Sequence, residues 1–434
     1  MLSAQPTGKG SDMKVSTQLN QDRFCWIPEH DSKFDDRAFA LVEIEAPTVR
    51  RSKHVTPTNL VAVLDRSGSM DGDRIAHARR ALCDIVDRLS PTDNFGLVIF
   101  DTEVDVVVQA GPVKDREAIK AAINGVYARG GTDLASGLIR GLKEARRLEA
   151  LEGTRVLLIS DGHANVGVTD ASTVGNLVAT YLDHRITTSS LGMGMGFDQR
   201  LLSAVARQGA GNEHFAENAD TAASLIAQEC GELLSQAFLS CRLTVRLANG
   251  GRRVALRNEF PHRTIDGDLQ IDLGGFQAEE MRSLVLEFRA NPAHRAGRRK
   301  LATLEFEYVV AADLSEHTVT HNVWADVVGT CATVAVNGDV AVEVAFQRAQ
   351  VRKRQAMESL AVGDIERANR KLHEAAGVLA EVLVHASPAK RREIQDEIAL
   401  LASMRQQAYL DGNRASKLMS IDIAVKSRTR GRRP

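Results

Sequence analysis

The order of apolar and polar positions changes character along the chain. From residue 59, short apolar runs alternate with segments in which apolar residues recur every three or four positions, a pattern typical of strands followed by amphipathic helices. The predicted strands are 59–65, 96–101, 156–161 and 186–194, and the predicted helices are 73–89, 133–150, 171–185, 198–208 and 219–236. This alternation predicts an α/β domain over 59–236, with a doubly wound, mainly parallel sheet.

After residue 237 the spacing shifts to strict alternation of apolar and polar residues, in short segments separated by Gly, Pro, Asn and Asp. This pattern predicts an antiparallel β-sandwich over 237–340. The run 38–47 alternates in part and ends in Pro47, so we expect residues 21–58 to supply the N-terminal strand or strands of the same sandwich. The α/β domain is then predicted to be inserted in the β-sandwich.

The two ends of the chain have different patterns. Residues 1–20 are rich in Gly, Ser, Thr and Gln and lack periodicity, which predicts a disordered leader. Helical spacing returns near residue 341, and Ser387-Pro388 separates two apolar-faced segments, which predicts a C-terminal α-helical hairpin over 341–415. The final residues, 416–434, contain KSRTRGRR and are predicted to form a solvated basic tail.

Composition narrows the function classes. The 434 residues are 44% apolar and 26% charged, with 55 Lys and Arg against 56 Asp and Glu, so no global field attracts nucleic acid or a membrane. The sequence has no signal-peptide core and no apolar run of roughly 18 residues; we therefore expect a cytoplasmic protein. The five cysteines are scattered and form no CxxC, so they are interpreted as small buried hydrophobes.

The candidate chemistry lies where predicted strands end. Asp65, Ser67 and Ser69 follow the first strand in the order Asp-Arg-Ser-Gly-Ser, Thr132 precedes a predicted helix, and Asp161 follows the strand VLLIS. Ligands of open α/β sheets bind beyond the carboxyl ends of the strands. Hard oxygen ligands of low total charge suit Mg²⁺. We therefore expect these five residues to form a metal site.

These motifs resemble the von Willebrand factor type A family over residues 59–231. In that family an Asp-x-Ser-x-Ser loop, a Thr and an Asp from two further loops form a metal-ion-dependent adhesion site, which matches the five residues of the predicted metal site. LISDGHANVGVTD and SLGMGMGFDQRLLSAVARQGAGNEHF are similar to bacterial members, including those that resemble calcium-activated chloride channel proteins. Arg66 departs from the small or acidic residue that often follows the first ligand.

The resemblance implies an interaction protein rather than an enzyme. It implies one Mg²⁺, with Mn²⁺ or Ca²⁺ as alternatives, and an open coordination position that takes an Asp or Glu carboxylate of a protein partner. Binding in the family is coupled to movement of the last helix, which corresponds to 219–236. We expect no small-molecule substrate, no membrane and no nucleic acid as a partner.

Two other function classes stay open. A metal-dependent hydrolase would use Mg²⁺ to activate water, but it needs a general base, and the sequence offers only His163 beside the predicted site. An exported adhesin or channel-associated protein is the second alternative. A dinucleotide site is not indicated, because GMGMG is followed by Phe197 where GxGxxG requires another glycine.

Overall fold

The computed structural model describes residues 13–26, 36–48, 57–148, 153–194, 196–216, 219–329 and 335–428. The chain starts with two paired strands, β1 (Lys14–Leu19) and β2 (Arg37–Glu45). The prediction of a disordered leader over 1–20 is therefore wrong for β1, while residues 1–12 lie outside the described part. The β1 sequence KVSTQL alternates exposed and half-buried positions, and its polar composition concealed that period of two.

The central α/β domain contains a six-stranded sheet with helices on both faces. Its strands are β3 (Asn59–Asp65), β4 (Asn94–Phe100), β5 (Val104–Pro112), β6 (Thr154–Ser160), β7 (Ile186–Met193) and β8 (Ala210–Ala216). Its helices are α1 (Asp73–Arg88), α2 (Arg116–Asn124), α3 (Leu134–Arg146), α4 (Ala171–Thr180), α5 (Gln199–Gln208) and α6 (Ala219–Leu234). Helices α1, α2 and α6 cover one apolar face, and α3, α4 and α5 cover the other.

The sheet order places the end of β3 beside the end of β6. The strands follow the order β5-β4-β3-β6-β7-β8, and all neighbours are parallel except β4 and β5. Every residue of β3 and β6 is buried, as expected for strands covered on both faces. The connections leave β3 in one direction and β6 in the other, so a crevice opens at their carboxyl ends.

Two further sheets, both antiparallel, contain the remaining strands. These are β9 (Gln236–Leu247), β10 (Gly251–Leu256), β11 (His262–Ile265), β12 (Asp268–Gln277), β13 (Met281–Ala290), β14 (Gly297–Val310) and β15 (Glu316–Val327). One sheet has the order β1-β2-β13-β10 and the other β11-β12-β9-β14-β15. Strand β2 pairs with β13 over nine residues, so segments before and after the α/β domain share a sheet. Both sheets contribute to one buried apolar cluster.

Within the described residues, four helices follow β15. They are α7 (Gly338–Ala361), α8 (Ile365–Glu381), α9 (Pro388–Leu410) and α10 (Gly412–Arg428). The predictions of a two-helix hairpin over 341–415 and of a basic tail over 416–434 are therefore wrong. Helix α10 buries Ala415, Met419 and Ile423, a spacing of four that the basic residues around it concealed. Residues 429–434 lie outside the described part.

The cysteines differ from one another. Cys25 is disulfide-bonded, which corrects the expectation that every cysteine is a small buried hydrophobe. Cys83 and Cys241 are free thiols, of which Cys241 is buried and Cys83 only half-buried.

In the part of the chain that the structure describes, no helix is long and apolar enough to cross a membrane.

Candidate metal site at the carboxyl edge of the central sheet

The structure brings the five predicted metal ligands to one place. Asp65 ends β3, Ser67 and Ser69 lie in the turn between β3 and α1, Thr132 precedes α3, and Asp161 follows β6. Four of the five residues are almost fully buried, whereas Ser69 is exposed at the mouth of the crevice. The topology therefore gathers oxygens from three loops.

Hydrogen bonds fix the carboxylates and hydroxyls of this cluster. Asp65 accepts from the Ser67 N–H at 2.8 Å with Oδ1 and from the Ser160 hydroxyl at 2.6 Å with Oδ2. The Ser67 and Ser69 hydroxyl oxygens lie 3.0 Å apart. Ser69 donates to Oδ1 of Asp161 at 2.7 Å. The side chains of the loop between β3 and α1 and of the loop after β6 thus form one connected network.

Gly162 marks the point at which the three loops converge. A Cβ atom added to this glycine would lie 3.3 Å from Ser69 Oγ, 3.4 Å from Thr132 Oγ1 and 3.8 Å from Asp65 Oδ2. One carboxylate and two neutral hydroxyls around one point, with the Asp161 carboxylate bonded to one of those hydroxyls, are a donor set that fits Mg²⁺. The described residues include no group of three His, Cys, Asp or Glu that could hold a metal, so any ion here depends on the hydroxyl oxygens.

The electrostatics of Asp65 favour a cation. Burial raises the pKa of Asp65 to about 6, although hydrogen bonds from Ser160 and Ser67 lower it, and the nearby Asp161 carboxylate raises it further. A buried carboxylate with a raised pKa has too little positive charge around it. A divalent ion between the two carboxylates would supply that charge.

The loop that carries Thr132 is tied to the other two loops through backbone groups. Gly68 donates its N–H to the Gly130 carbonyl at 3.1 Å, and the Thr132 N–H donates to the Asn165 side chain at 2.9 Å. Gly130 has a φ of +71°, a conformation that favours glycine. Thr132 is therefore held in position by its backbone, and its hydroxyl is left for the crevice.

Arg66, which lies between Asp65 and Ser67, faces away from the candidate ligands. Its Nε lies 2.8 Å from Asp101 and its Nη2 lies 2.6 Å from Asp105. Burial raises the pKa of Asp101, but a hydrogen bond from the Glu103 N–H and the contacts of Arg129 and Arg66 hold it below the usual range. Arg66 therefore belongs to a neighbouring ion-pair cluster that braces the loops.

Sequence reasoning missed one charged residue of the site. Arg74, the second residue of α1, donates from Nη1 to the Ser69 carbonyl at 2.8 Å and to Asp161 Oδ2 at 2.5 Å. A cation at a helix N-terminus opposes the helix dipole. The unfavourable placement of Arg74 at the N-terminus of α1 was the feature of the sequence that could have indicated a specific role for this residue.

The last helix of the domain is anchored by a buried acid. Glu229 of α6 accepts from Arg155 of β6 and Ser189 of β7, both at 2.5 Å, and lies 2.7 Å from the His214 ring. Burial raises the pKa of Glu229, but Arg155, His214 and Ser189 together lower it far below its usual range. The ion pair fixes α6 against three strands.

Helix α10 packs against the same domain on another side. Gln199 of α5 donates to the Ser416 carbonyl at 3.0 Å, and Ser420 donates to Glu213 of β8 at 2.9 Å. The Lys417 ammonium lies 4.2 Å from the centre of the Phe197 ring. A cleft of about 850 Å³ lies between the two parts and reaches His163 in the loop after β6, but none of the five predicted ligands lines it.

Comparison with known proteins agrees with this geometry. Residues 59–229 match the model of the von Willebrand factor type A domain. The chain contains a VWA domain. It is 30% identical over 192 residues to the uncharacterized protein sll0103 of Synechocystis, which covers 44% of this chain and 45% of that protein. It is also 30% identical over 182 residues to human inter-alpha-trypsin inhibitor heavy chain H4, covering 39% of this chain and 19% of that protein.

The VWA domain accounts for less than half of the chain, and the matched region is less than half the length of both curated relatives. A solved structure, a von Willebrand factor type A protein from Catenulispora acidiphila, is similar over more of the chain. Its TM-score is 0.69 over 87% of this chain and 88% of that chain, at 17% sequence identity. At this identity the likeness shows the fold alone, which here includes the sheets and helices outside the VWA domain.

Proposed function

We propose that this protein is an interaction or adhesion module that binds an acidic residue of a protein partner through a divalent metal, with Mg²⁺ as the preferred ion. VWA domains mediate protein–protein interaction and adhesion. The observation that supports the proposal is the convergence of Ser69, Thr132 and Asp65 oxygens on the backbone of Gly162. These are donors that the proposal requires, and they come from two loops that meet the third loop at Gly162.

Each residue has a definite part in this proposal. Asp65 supplies the buried negative charge, and the hydroxyls of Ser67, Ser69 and Thr132 complete the donor set. Asp161 orients the Ser69 hydroxyl, from which its Oδ1 accepts a hydrogen bond at 2.7 Å. Mg²⁺ requires six oxygens, so a donor set of this size leaves room for an oxygen of the partner. The metal supplies electrostatic attraction for a carboxylate.

A hydrolase is not favoured by the geometry. His163, the one candidate base, has a side chain that is 71% exposed, and its nearest acid, Asp198, lies 3.9 Å from Nδ1. A general base needs an oriented ring within hydrogen-bond reach of the reacting water. We therefore propose a binding function without catalysis, and a protein rather than a small molecule as the ligand.

The test is a comparison of metal-dependent partners. The full chain, its Asp65→Ala variant and a matched Asp71→Ala variant, which removes an exposed carboxylate two residues beyond Ser69, are used as baits in Mg²⁺ and in EDTA. We expect a protein that the parent and Asp71→Ala retain only in Mg²⁺ and that Asp65→Ala never retains. Replacing Asp and Glu residues of that protein by alanine should then abolish retention. Equal retention by all baits in both buffers would contradict the proposal.

A further inference from the structure

Arg74 occupies the outer side of the candidate metal site. Its guanidinium bridges two of the three loops, because Nη1 contacts both the Ser69 carbonyl and the Asp161 carboxylate. Gly194 provides the space: a Cβ atom there would lie 3.1 Å from Arg74 Nη2, and its φ is +69°. The side chain is 43% exposed, so the guanidinium lies between the buried carboxylate and solvent.

The contacts of Asp161 show what Arg74 does to this acid. Oδ1 accepts from the Ser69 hydroxyl and Oδ2 accepts from Arg74, so both oxygens are engaged within the protein. An ion that bound Asp161 directly would have to share these oxygens with the Ser69 and Arg74 donors or displace one of them. Because the carboxylate is fully buried, losing a charged partner costs more there than at the surface.

The balance of charge points in the same direction. The charged side chains that the described hydrogen bonds link to the ligand cluster are Asp65, Asp161 and Arg74. Together they leave a net charge of minus one, which a divalent ion converts to plus one. Without Arg74 the same ion would only neutralise the site. The cation therefore weakens the attraction for a metal but leaves the loaded site positive toward an anion.

We propose that Arg74 competes with the metal as a cation and so lowers the intrinsic metal affinity of the site. Its charge also keeps the metal-loaded site net positive, which favours the carboxylate of the partner. The inference rests on the proposed metal site and deepens it. Metal and acidic partner then bind cooperatively. The metal makes the site positive for the carboxylate of the partner, and that carboxylate in turn neutralises the excess positive charge of the loaded site. Arg74 is a positioning residue that acts through Asp161.

The experiment measures the binding of Mg²⁺ alone to the full chain by calorimetry. Arg74→Gln and Arg74→Met, two neutral replacements, are compared with Arg74→Lys and with Arg80→Gln, which removes an exposed arginine from the same helix. We expect both neutral variants to bind Mg²⁺ on the order of tenfold more tightly than the parent. Arg74→Lys and Arg80→Gln should stay close to the parent.

Melting temperature separates this role from a structural one. The neutral variants should gain more in melting temperature from saturating Mg²⁺ than the parent does, since tighter binding stabilises the fold more. A merely structural arginine would lower the melting temperature equally with and without Mg²⁺. If the parent binds Mg²⁺ and the neutral variants bind it equally or more weakly, this inference is overturned while the metal site stands. If the parent and Asp65→Ala bind Mg²⁺ alike, the metal site itself is wrong.

Discussion

The oxygens of the candidate site differ in what each contributes to ion binding. Asp65 and Asp161 carry the charge, but Asp161 is already engaged by Ser69 and Arg74. The remaining donors are neutral hydroxyls, which compensate poorly for the dehydration of Mg²⁺. Asp65, whose pKa burial raises to about 6, is therefore the residue on which the charge of the site depends most.

Asp65 gives the first prediction. The parent should bind one Mg²⁺ with a dissociation constant of roughly micromolar to millimolar, because its donors are mostly neutral. Asp65→Ala should abolish this binding without unfolding the chain, since it also removes a carboxylate that is costly to bury. Calorimetry measures the affinity and circular dichroism checks the fold. A variant that binds Mg²⁺ like the parent would show that the ligand assignment is wrong.

Thr132 gives the second prediction. Within the described part of the chain its backbone N–H bonds to Asn165, whereas no hydrogen bond of its hydroxyl is described. Thr132→Ala should therefore change the melting temperature little, while it weakens Mg²⁺-dependent retention of the partner strongly. Thr132→Ser keeps the hydroxyl and should retain the partner. Early melting of Thr132→Ala combined with parental retention would instead indicate an ion that only supports the fold.

The sequence was sufficient to predict which five residues the fold gathers at this edge of the sheet, but not that Arg74 joins them. Asp65, Ser67 and Ser69 are close in sequence, and their position after a buried strand determines where they lie. Thr132 and Asp161 could be added because the carboxyl ends of parallel strands share one edge. Arg74 looked like any charged residue of an amphipathic helix, and its role depends on how α1 is oriented over the loop after β6.

Helix α6 is anchored by one buried acid in addition to its apolar contacts with the core. Glu229 lies on this helix, and its partners Arg155, Ser189 and His214 come from three neighbouring strands. A buried ion pair contributes little net stability when intact, but removing one partner leaves an uncompensated charge. The attachment of α6 to β6, β7 and β8 through these polar contacts therefore depends on the ionisation of Glu229.

The third prediction concerns this acid. Glu229→Gln should lower the free energy of unfolding by about 3–5 kcal/mol, and Glu117→Gln, at an exposed glutamate of α2, should leave it unchanged. Because the pKa of Glu229 is depressed in the folded chain, its contribution is fully present above the unfolded pKa and is lost as the pH falls below it. In urea unfolding at a series of pH values, the free energy of unfolding of Glu229→Gln should therefore fall less steeply with decreasing pH than that of the parent. Parallel curves for parent and variant would contradict this role.

Two of the elements that the sequence concealed have polar residues that pair inside the fold. Strand β8 reads as the polar run AGNEHFA, yet Glu213 bonds to α10 and His214 contacts Glu229 of α6. Helix α10 reads as part of a basic tail, yet Lys426 pairs with Glu397 and Asp422. Buried apolar strands such as β3 and β6 were predicted nearly to the residue because their hydrophobicity is independent of tertiary partners.

At the scale of the molecule, the VWA domain is joined at both ends to the antiparallel sheets. Strand β2 precedes the domain and pairs with β13, and β9 begins at Gln236, two positions after α6 ends at Leu234. On the C-terminal side of the VWA domain, a single residue, Ser235, thus links α6 to β9. Any displacement of α6 that accompanies binding at the metal site would pull directly on β9, a central strand of its sheet.

The fourth prediction tests whether the segments on either side of the VWA domain are one folding unit. Strands β1 and β2 form half of a four-stranded sheet, and Val42 of β2 lies opposite Leu284 of β13 with both side chains fully buried. Removing residues 1–56 would expose the apolar edge of β13 and open the cluster shared by both sheets. The truncated chain should therefore lose its cooperative β-sheet transition or melt about 10 °C or more below the parent.

Two controls make this prediction decisive. Removing residues 1–12 leaves β1 and β2 in place and should preserve the parental melting temperature, so an effect of chain length alone is excluded. Val42→Asp keeps the full chain but places a charge opposite Leu284, and it should destabilise the sheets because an unpaired buried carboxylate has no compensating partner there. Heteronuclear NMR of the truncated chain should show collapsed shifts for β13 and β10, while the VWA domain keeps its dispersion. Native-like dispersion of β13 together with the parental melting temperature would mean that the later strands fold without β1 and β2.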